Sequence, residues 1–342
     1  MKKFLNYILS HCYAYDILCF SYVVLALILS FFTPLSIDYK LLFDMTYDTS
    51  FLELVFAYIL IDILFVLFRI SRDKANILKK WFEEIRQRYL NLEKLVHIIK
   101  ALFWLKIVLL IYCNIKQSIP LINPILCDKE LALFDSLLFL GYNPNRIFVD
   151  IFAAAHLSAF LDLLYFLWYI LKPFVLVYFA VLPVRRRILH QQFFFAYYAL
   201  WMSGGFAALI LPSLGPVYTM PDLFRTVNRP IALKLQARLF RHYIDSIAHP
   251  EHFQKFIYEG IAAFPSLHIG IIALFAFFLF RVNRIIGFVM FIYLVVVQIG
   301  SVVLGWHYFI DGVAGILLAW LLYFFTTSLM HSDRAAVKKC NL

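Results

Sequence analysis

Eight runs of mostly apolar residues recur along this chain, at 17–35, 51–70, 101–115, 160–182, 193–211, 266–280, 285–304 and 308–329. Most approach the ~20 residues that a helix needs to cross the hydrocarbon of a bilayer. The 342 residues are 63% hydrophobic and only 15% charged, against roughly 25% charged in soluble domains. The pattern predicts an all-α, polytopic membrane helix bundle. Residues 1–100 form an accessory pair of spans and a cytoplasmic amphipathic helix over 72–100, residues 101–330 a six-span core, and 331–342 a cytoplasmic tail. The stretch 147–182 is too long for one straight span. Its first part, 147–159, is expected at the interface or entering at an angle, and Pro173 is a kink-prone point further along.

A net charge of +10 would suit nucleic acid in a soluble protein. At this hydropathy the basic residues act as topology determinants, so no nucleic-acid partner is expected. With an even number of spans, one side receives Lys2, Lys3, the basic run 69–100, Arg185, Arg186, Arg187, Arg281, Arg284, Arg334, Lys338 and Lys339. That side is read as cytoplasmic, with both termini on it, in an integral membrane protein of bacterial inner-membrane type. Lys2 and Lys3 precede an apolar run that lacks a small-x-small cleavage site, which reads as a retained anchor. Five scattered cysteines show neither a CxxC pair nor metal-ligand spacing, so no disulfide framework, metal or other cofactor is expected.

Two short segments carry the chemistry, Phe264-Pro265-Ser266-Leu267-His268-Ile269-Gly270 and His307-Tyr308-Phe309-Ile310-Asp311-Gly312-Val313-Ala314-Gly315. Each opens an apolar run, and one out-and-back pass of the membrane separates them, which brings both to the face opposite the cytoplasm. His307 and Asp311 are four apart and share one helical face. An aspartate that accepts the Nδ1 proton leaves Nε2 free as a nucleophile. His268 is then the group that protonates a leaving oxygen. Pro265 and Ser266 start a helix whose N-terminus favours an anionic phosphate. Positive charge can come from the segment 225–255, where Lys234, Arg238 and Arg241 follow i, i+4, i+7 and Arg229 precedes them. The candidate catalytic residues are therefore His268, His307 and Asp311, and the candidate phosphate-binding residues Ser266, Arg229, Lys234, Arg238 and Arg241. Glu53, Asp62, Lys106, Asp162 and Lys172 are read as pairing within the bundle or lying near span ends, and Gly204-Gly205 as a close-packing point.

Over roughly residues 130 to 325 the chain resembles the type 2 phosphatidic acid phosphatase superfamily. It is most similar to the branch that holds the inositol phosphorylceramide synthases of fungi and their bacterial relatives. The resemblance lies in Asp135-Ser136-Leu137-Leu138-Phe139-Leu140-Gly141, Asp150-Ile151-Phe152-Ala153, Leu211-Pro212-Ser213-Leu214-Gly215-Pro216-Val217-Tyr218 and Ala263-Phe264-Pro265-Ser266-Leu267-His268. Leu267 stands where the broader superfamily usually has glycine. Ser301 replaces its arginine six residues before the nucleophile, and Asp222 stands in place of the lysine in a Lys-x6-Arg-Pro element that here ends in Arg229-Pro230. The resemblance implies a phosphohistidine on His307, with His268 as acid and Asp311 as orienting partner. It further implies transfer of a phosphorylated, inositol phosphate-like head group from a phospholipid donor to a lipid or glycan hydroxyl. Two other functions stand beside it: a lipid phosphate phosphatase that uses water, and a catalytically dead lipid-binding or transport protein.

Overall fold

The computed structural model describes residues 13–41, 83, 92–153, 155–182, 186–251, 255 and 259–340. A backbone in hydrocarbon has no water to bond, so a spanning segment must satisfy its own N–H and C=O groups. All regular elements among the described residues are accordingly helical. In chain order they are α1 (Ala14–Phe32), α2 (Leu92–Ile122), α3 (Asp128–Leu138), α4 (Pro144–Phe152), α5 (Ala155–Phe166), α6 (Trp168–Ala180) and α7 (Arg187–Ile210). There follow the short α8 (Pro216–Thr219), a 3-10 turn at Pro221–Phe224, then α9 (Pro230–Ala248), α10 (Leu267–Val282), α11 (Arg284–Val303) and α12 (Phe309–Cys340). Among the described residues six stretches are long and apolar enough to cross a membrane: Ala14–Phe32, Val96–Ile122, His156–Ala180, Arg187–Ile210, Arg284–Val303 and Phe309–Leu329. The apolar α10 is shorter. The run at 51–70 lies outside the described residues.

Three expectations change. The run at 101–115 is the middle of the 31-residue α2, which takes in residues 92–100 as its first turns. That part of the segment 72–100 is therefore not a separate surface helix; the rest lies outside the described residues, apart from Glu83. At this end of α2, Lys100 and Trp104 both bond the carboxylate of Asp16 on α1, at 2.5 and 2.6 Å. The third change concerns 147–182, which breaks twice, at Ala153 and at Leu167, both upstream of Pro173. At the second break the Leu164 carbonyl accepts from the Leu167 N–H at 3.2 Å and from the Tyr293 hydroxyl of α11 at 2.9 Å. Together these bonds keep that carbonyl paired where the helix is interrupted. The break also turns Trp168 and Tyr169 toward the start of α10.

The core sits around α10, which packs against α7, α11 and α12. Most of its side chains are buried, including Ile269, Ile271, Ile272, Leu274, Phe275 and Phe278. By contrast α11 and α12 leave one apolar face outward, with Ile285, Phe288, Val289, Leu317, Trp320 and Phe324 exposed. That is the expected division between a protein-facing and a lipid-facing side. Gly204 of α7 lies against the Leu267 side chain, a close-packing contact of the kind its sequence context suggested.

Where α10 meets α12, two glycines let the backbones touch. A Cβ on Gly315 would stand 2.3 Å from the Ser266 carbonyl oxygen, and one on Gly270 would stand 3.0 Å from the Gly315 carbonyl. Small residues allow this approach in membrane bundles, where packing rather than hydrophobic burial holds helices together. Because the obstacle at Gly315 is backbone, it cannot rotate aside. Gly315→Ala should push the two helices apart, lower stability by about 1–3 kcal/mol and reduce turnover. Gly205→Ala, whose nearest obstacle is the Tyr112 side chain at 3.1 Å rather than backbone, should do less. Thermal unfolding and turnover of the two variants in detergent check this; equal behaviour would contradict it.

Candidate active site

The site is assembled from two helix starts. Ser266 is the N-cap of α10, its hydroxyl accepting from the Ile269 N–H. At the start of α12, the third residue, Asp311, turns its carboxylate back to accept the Tyr308 N–H at 2.9 Å. This is half of a capping box. The same Oδ2 faces His307 Nδ1 at 3.3 Å, a long contact of the kind resting active sites often hold before substrate tightens them. The partners assign the tautomer: Nδ1 donates to Asp311, and the Ser266 hydroxyl donates to Nε2 at 3.0 Å. The starts are also joined through the backbone, the Ser266 N–H donating to the Asp311 carbonyl at 2.9 Å. Ser266 and Asp311 are fully buried and His307 nearly so.

His268 is the second residue of α10. Its ring is walled by Tyr165, Trp168 and Tyr169, with centroids 5.5, 4.5 and 6.2 Å away, and lies 6.5 Å from the His307 ring. The two imidazoles are thus close neighbours, tilted at 55° to one another. Both histidines line one cleft, closed on another side by Leu235 and Leu239 of α9.

Buried polar groups fix this geometry. Asn145 donates to the His307 and Val302 carbonyls, both at 3.2 Å, and the Ser301 carbonyl accepts from the His307 N–H. Ser301, in the position where an arginine was the family expectation, thus closes the turn before the histidine. Asp128 accepts from the Gly215 N–H at 2.9 Å and from the Tyr308 hydroxyl at 3.1 Å. Ser213 bonds Ala263 and Phe264 through its carbonyl and hydroxyl. Gly215 has φ +100° and its Cβ position is 2.6 Å from the Trp306 carbonyl, so only glycine suits it. The segment 211–218 is therefore a bracket between the two histidine segments.

A protein-family model described as the PAP2 superfamily matches residues 129–325, more than half of the chain. The chain belongs to the PAP2 superfamily. No match was found among curated proteins or among solved structures. Membership points to a lipid phosphatase or phosphotransferase activity in the membrane.

Within this PAP2 chain the sequence-derived basic residues fall in different places. Arg229 is buried and donates to Gln236 at 3.0 Å and to the carbonyls of Phe224 and Val227. Burial also pulls its guanidinium below the usual arginine range. Arg238 pairs with Glu259 at 2.8 Å. Lys234 and Arg241 lie on the exposed face of α9, away from Leu235 and Leu239. Asp150 is exposed and pairs with Arg146 at 3.7 Å. Asp162 caps α9, accepting from Ile231 and Ala232 at 2.7 and 3.1 Å. Among the described residues, Lys116 of α2 lines the cleft. It lies just past the apolar run 101–115, where the sequence pattern alone does not mark it. The available signal was an ionisable residue at membrane depth.

Asp135 completes the frame by accepting the Phe309 and Ile310 N–H groups at 2.6 and 2.7 Å. Burial pushes its carboxyl up to about 6, against the opposing pull of those two bonds. A raised carboxyl means that between about pH 4 and pH 6 the folded protein holds a proton that the unfolded chain has released. Stability from this group is thus greatest below pH 4, falls as pH rises through 6 and is flat above. Asp135→Asn cannot titrate. The difference in Tm between wild type and variant should change across pH 4–6 and stay constant from pH 7 to 8; a constant offset over the whole range would contradict the shift.

Proposed function

We propose that this protein is a phosphotransferase that moves a phosphorylated, inositol phosphate-like head group from a phospholipid donor to a lipid or glycan hydroxyl. The observation that carries the proposal is the pair His307 and His268 in one cleft, with ring centroids 6.5 Å apart and Asp311 on Nδ1 of His307. Asp311 holds the Nδ1 proton, so the lone pair of Nε2 attacks phosphorus once Ser266 releases it. The N–P bond forms as the P–O bond to the donor alcohol breaks, and His268 supplies the proton to that oxygen. In the second half, an acceptor hydroxyl gives its proton to His268 and takes the phosphoryl group, which regenerates His307.

For phosphate, support comes from Ser266 at the start of α10 and from Lys116 in the cleft. Lys234, Arg238 and Arg241 on α9 add a positive field at the surface, and Arg229 shapes the fold beneath them. Residues 101–330 serve as the catalytic core. Leu267 and Ser301 support the synthase-like branch. The distribution of short-loop basic residues supports cytoplasmic termini, with the histidines on the opposite side. Hydrolysis to water shares the first half-reaction and is the second reading, favoured by the superfamily match itself. A catalytically dead binder has no use for the His307–Asp311 contact.

Purified protein given radiolabelled phosphatidylinositol or phosphatidic acid should carry an acid-labile, base-stable label on His307. Alcohols added as acceptors should receive the label. His307→Ala should lose it along with about 10³-fold or more of turnover, while remaining folded and inserted. Release of phosphate or head group at a rate indifferent to added alcohol would remove the transferase reading in favour of the phosphatase. Full activity in His307→Ala would remove both.

A further inference from the structure

Helix α3 has two unlike faces. Inward, Asp128 and Asp135 hold the 211–218 bracket and the first N–H groups of α12. Outward, Leu133, Phe134, Leu137, Leu138, Leu140 and Tyr142 are each more than half exposed. Between residues 131 and 142 the inward Asp135 is the one charged residue. A soluble surface rarely carries so continuous an apolar patch, and where one occurs it marks a partner or a membrane.

The end of this helix is built for the same purpose. The Gly141 N–H donates to the Ser136 carbonyl at 2.8 Å and the Leu140 N–H to the Leu137 carbonyl at 3.3 Å, the paired bonds of a Schellman cap. Glycine is the usual residue at the left-handed position of such a cap, because a side chain there is strained. Here the position is held by Leu140, with φ +54°, and its side chain is 90% exposed. In water a leucine gains nothing from that conformation or from that exposure. In hydrocarbon the exposure carries no penalty, and the side chain has a reason to be there.

Two contacts set the depth of α3. Asp135 bonds Phe309 and Ile310, the first residues of the membrane-crossing stretch Phe309–Leu329. The Phe139 ring, in the turn after α3, packs on the Phe309 ring with centroids 5.0 Å apart. One turn further along α12 begins its outward apolar strip, with Val313 and Leu317 exposed. The apolar face of α3 therefore continues the lipid-facing side of α12. With 11 residues, about 16 Å at the helical rise, α3 is too short to cross the bilayer. Tyr142 closes the patch with a ring and a hydroxyl, the combination that favours the headgroup level.

We propose that α3 and the turn at 139–142 are seated in the leaflet nearest His307, with lipid acyl chains covering their outer face. The inner face of the same helix holds the start of α12, so the leaflet reaches to within one helix diameter, about 10 Å, of the turn that carries His307. The proposal concerns where the protein meets lipid and does not depend on which reaction it performs.

Photocrosslinking tests it. Full-length protein carrying p-benzoylphenylalanine in place of Phe134, or in place of Leu137, is reconstituted in phosphatidylcholine vesicles and illuminated. Mass spectrometry then gives the fraction of the probe-bearing peptide that has gained a lipid acyl chain. The same probe in place of Leu317, on the lipid-facing side of α12, is the reference. Acyl-chain adducts at Phe134 and Leu137 should form within about threefold of the Leu317 yield. The yield is a fraction of the peptide that carries the probe, so the amount of protein recovered does not move it. Where one variant fails to insert, the other decides. A yield more than about threefold below that at Leu317 overturns the proposal, since this face then meets water. A main adduct that joins two copies of the chain also overturns it, since a protein and not the leaflet then covers α3.

Discussion

The close crossing of α10 and α12 is the contact on which the site depends. Gly270 and Gly315 remove the side chains that would hold the helices apart, so the Ser266 N–H reaches the Asp311 carbonyl and the Ser266 hydroxyl reaches His307. In lipid, where separating helices exposes no new hydrocarbon to water, such backbone contact and the bonds it permits are what fix their spacing. A nucleophile and an acid on different helices keep a useful separation only if that spacing is rigid. The geometry of the two imidazoles is in this sense a property of the glycines.

Around that crossing, buried carboxylates act as helix caps. Asp135 takes the first free N–H groups of α12, Asp162 those of α9, and Asp128 the N–H groups of the 211–218 bracket. Each satisfies donors that a helix or loop start would otherwise bury unbonded. They explain how several acidic residues can lie inside a membrane protein without forming a relay. Their charge is spent on backbone dipoles, and Asp311 alone among these carboxylates faces a histidine.

Spans and the residues of the candidate site were legible in the sequence for a common reason. Apolar length marks a crossing, and an ionisable residue at its edge needs a purpose, so His268, His307 and Asp311 stood out before any contact was known. What the sequence did not carry was tertiary. The i, i+4, i+7 spacing of Lys234, Arg238 and Arg241 identified a helical face but not the direction that face points; Leu235 and Leu239 take the inward side. Pro173 suggested a kink, whereas the interruption falls at Leu167, where the Leu164 carbonyl accepts from both the Leu167 N–H and the Tyr293 hydroxyl. Lys116 was hidden by ending a helix at its last strongly apolar residue, and α2 runs on to Ile122.

In the proposed reaction the imidazole held by Asp311 is the nucleophile, and the second imidazole stands beside it with ring centroids 6.5 Å apart. Orthovanadate, which takes the trigonal bipyramidal shape of phosphorus in transit, tests this most directly in an experimentally determined structure of the complex. Vanadium bonded to His307 Nε2, with its opposite apical oxygen within hydrogen-bond reach of His268, is the expected result. Vanadate bound elsewhere, or the two rings separated too far to share one ion, would contradict it.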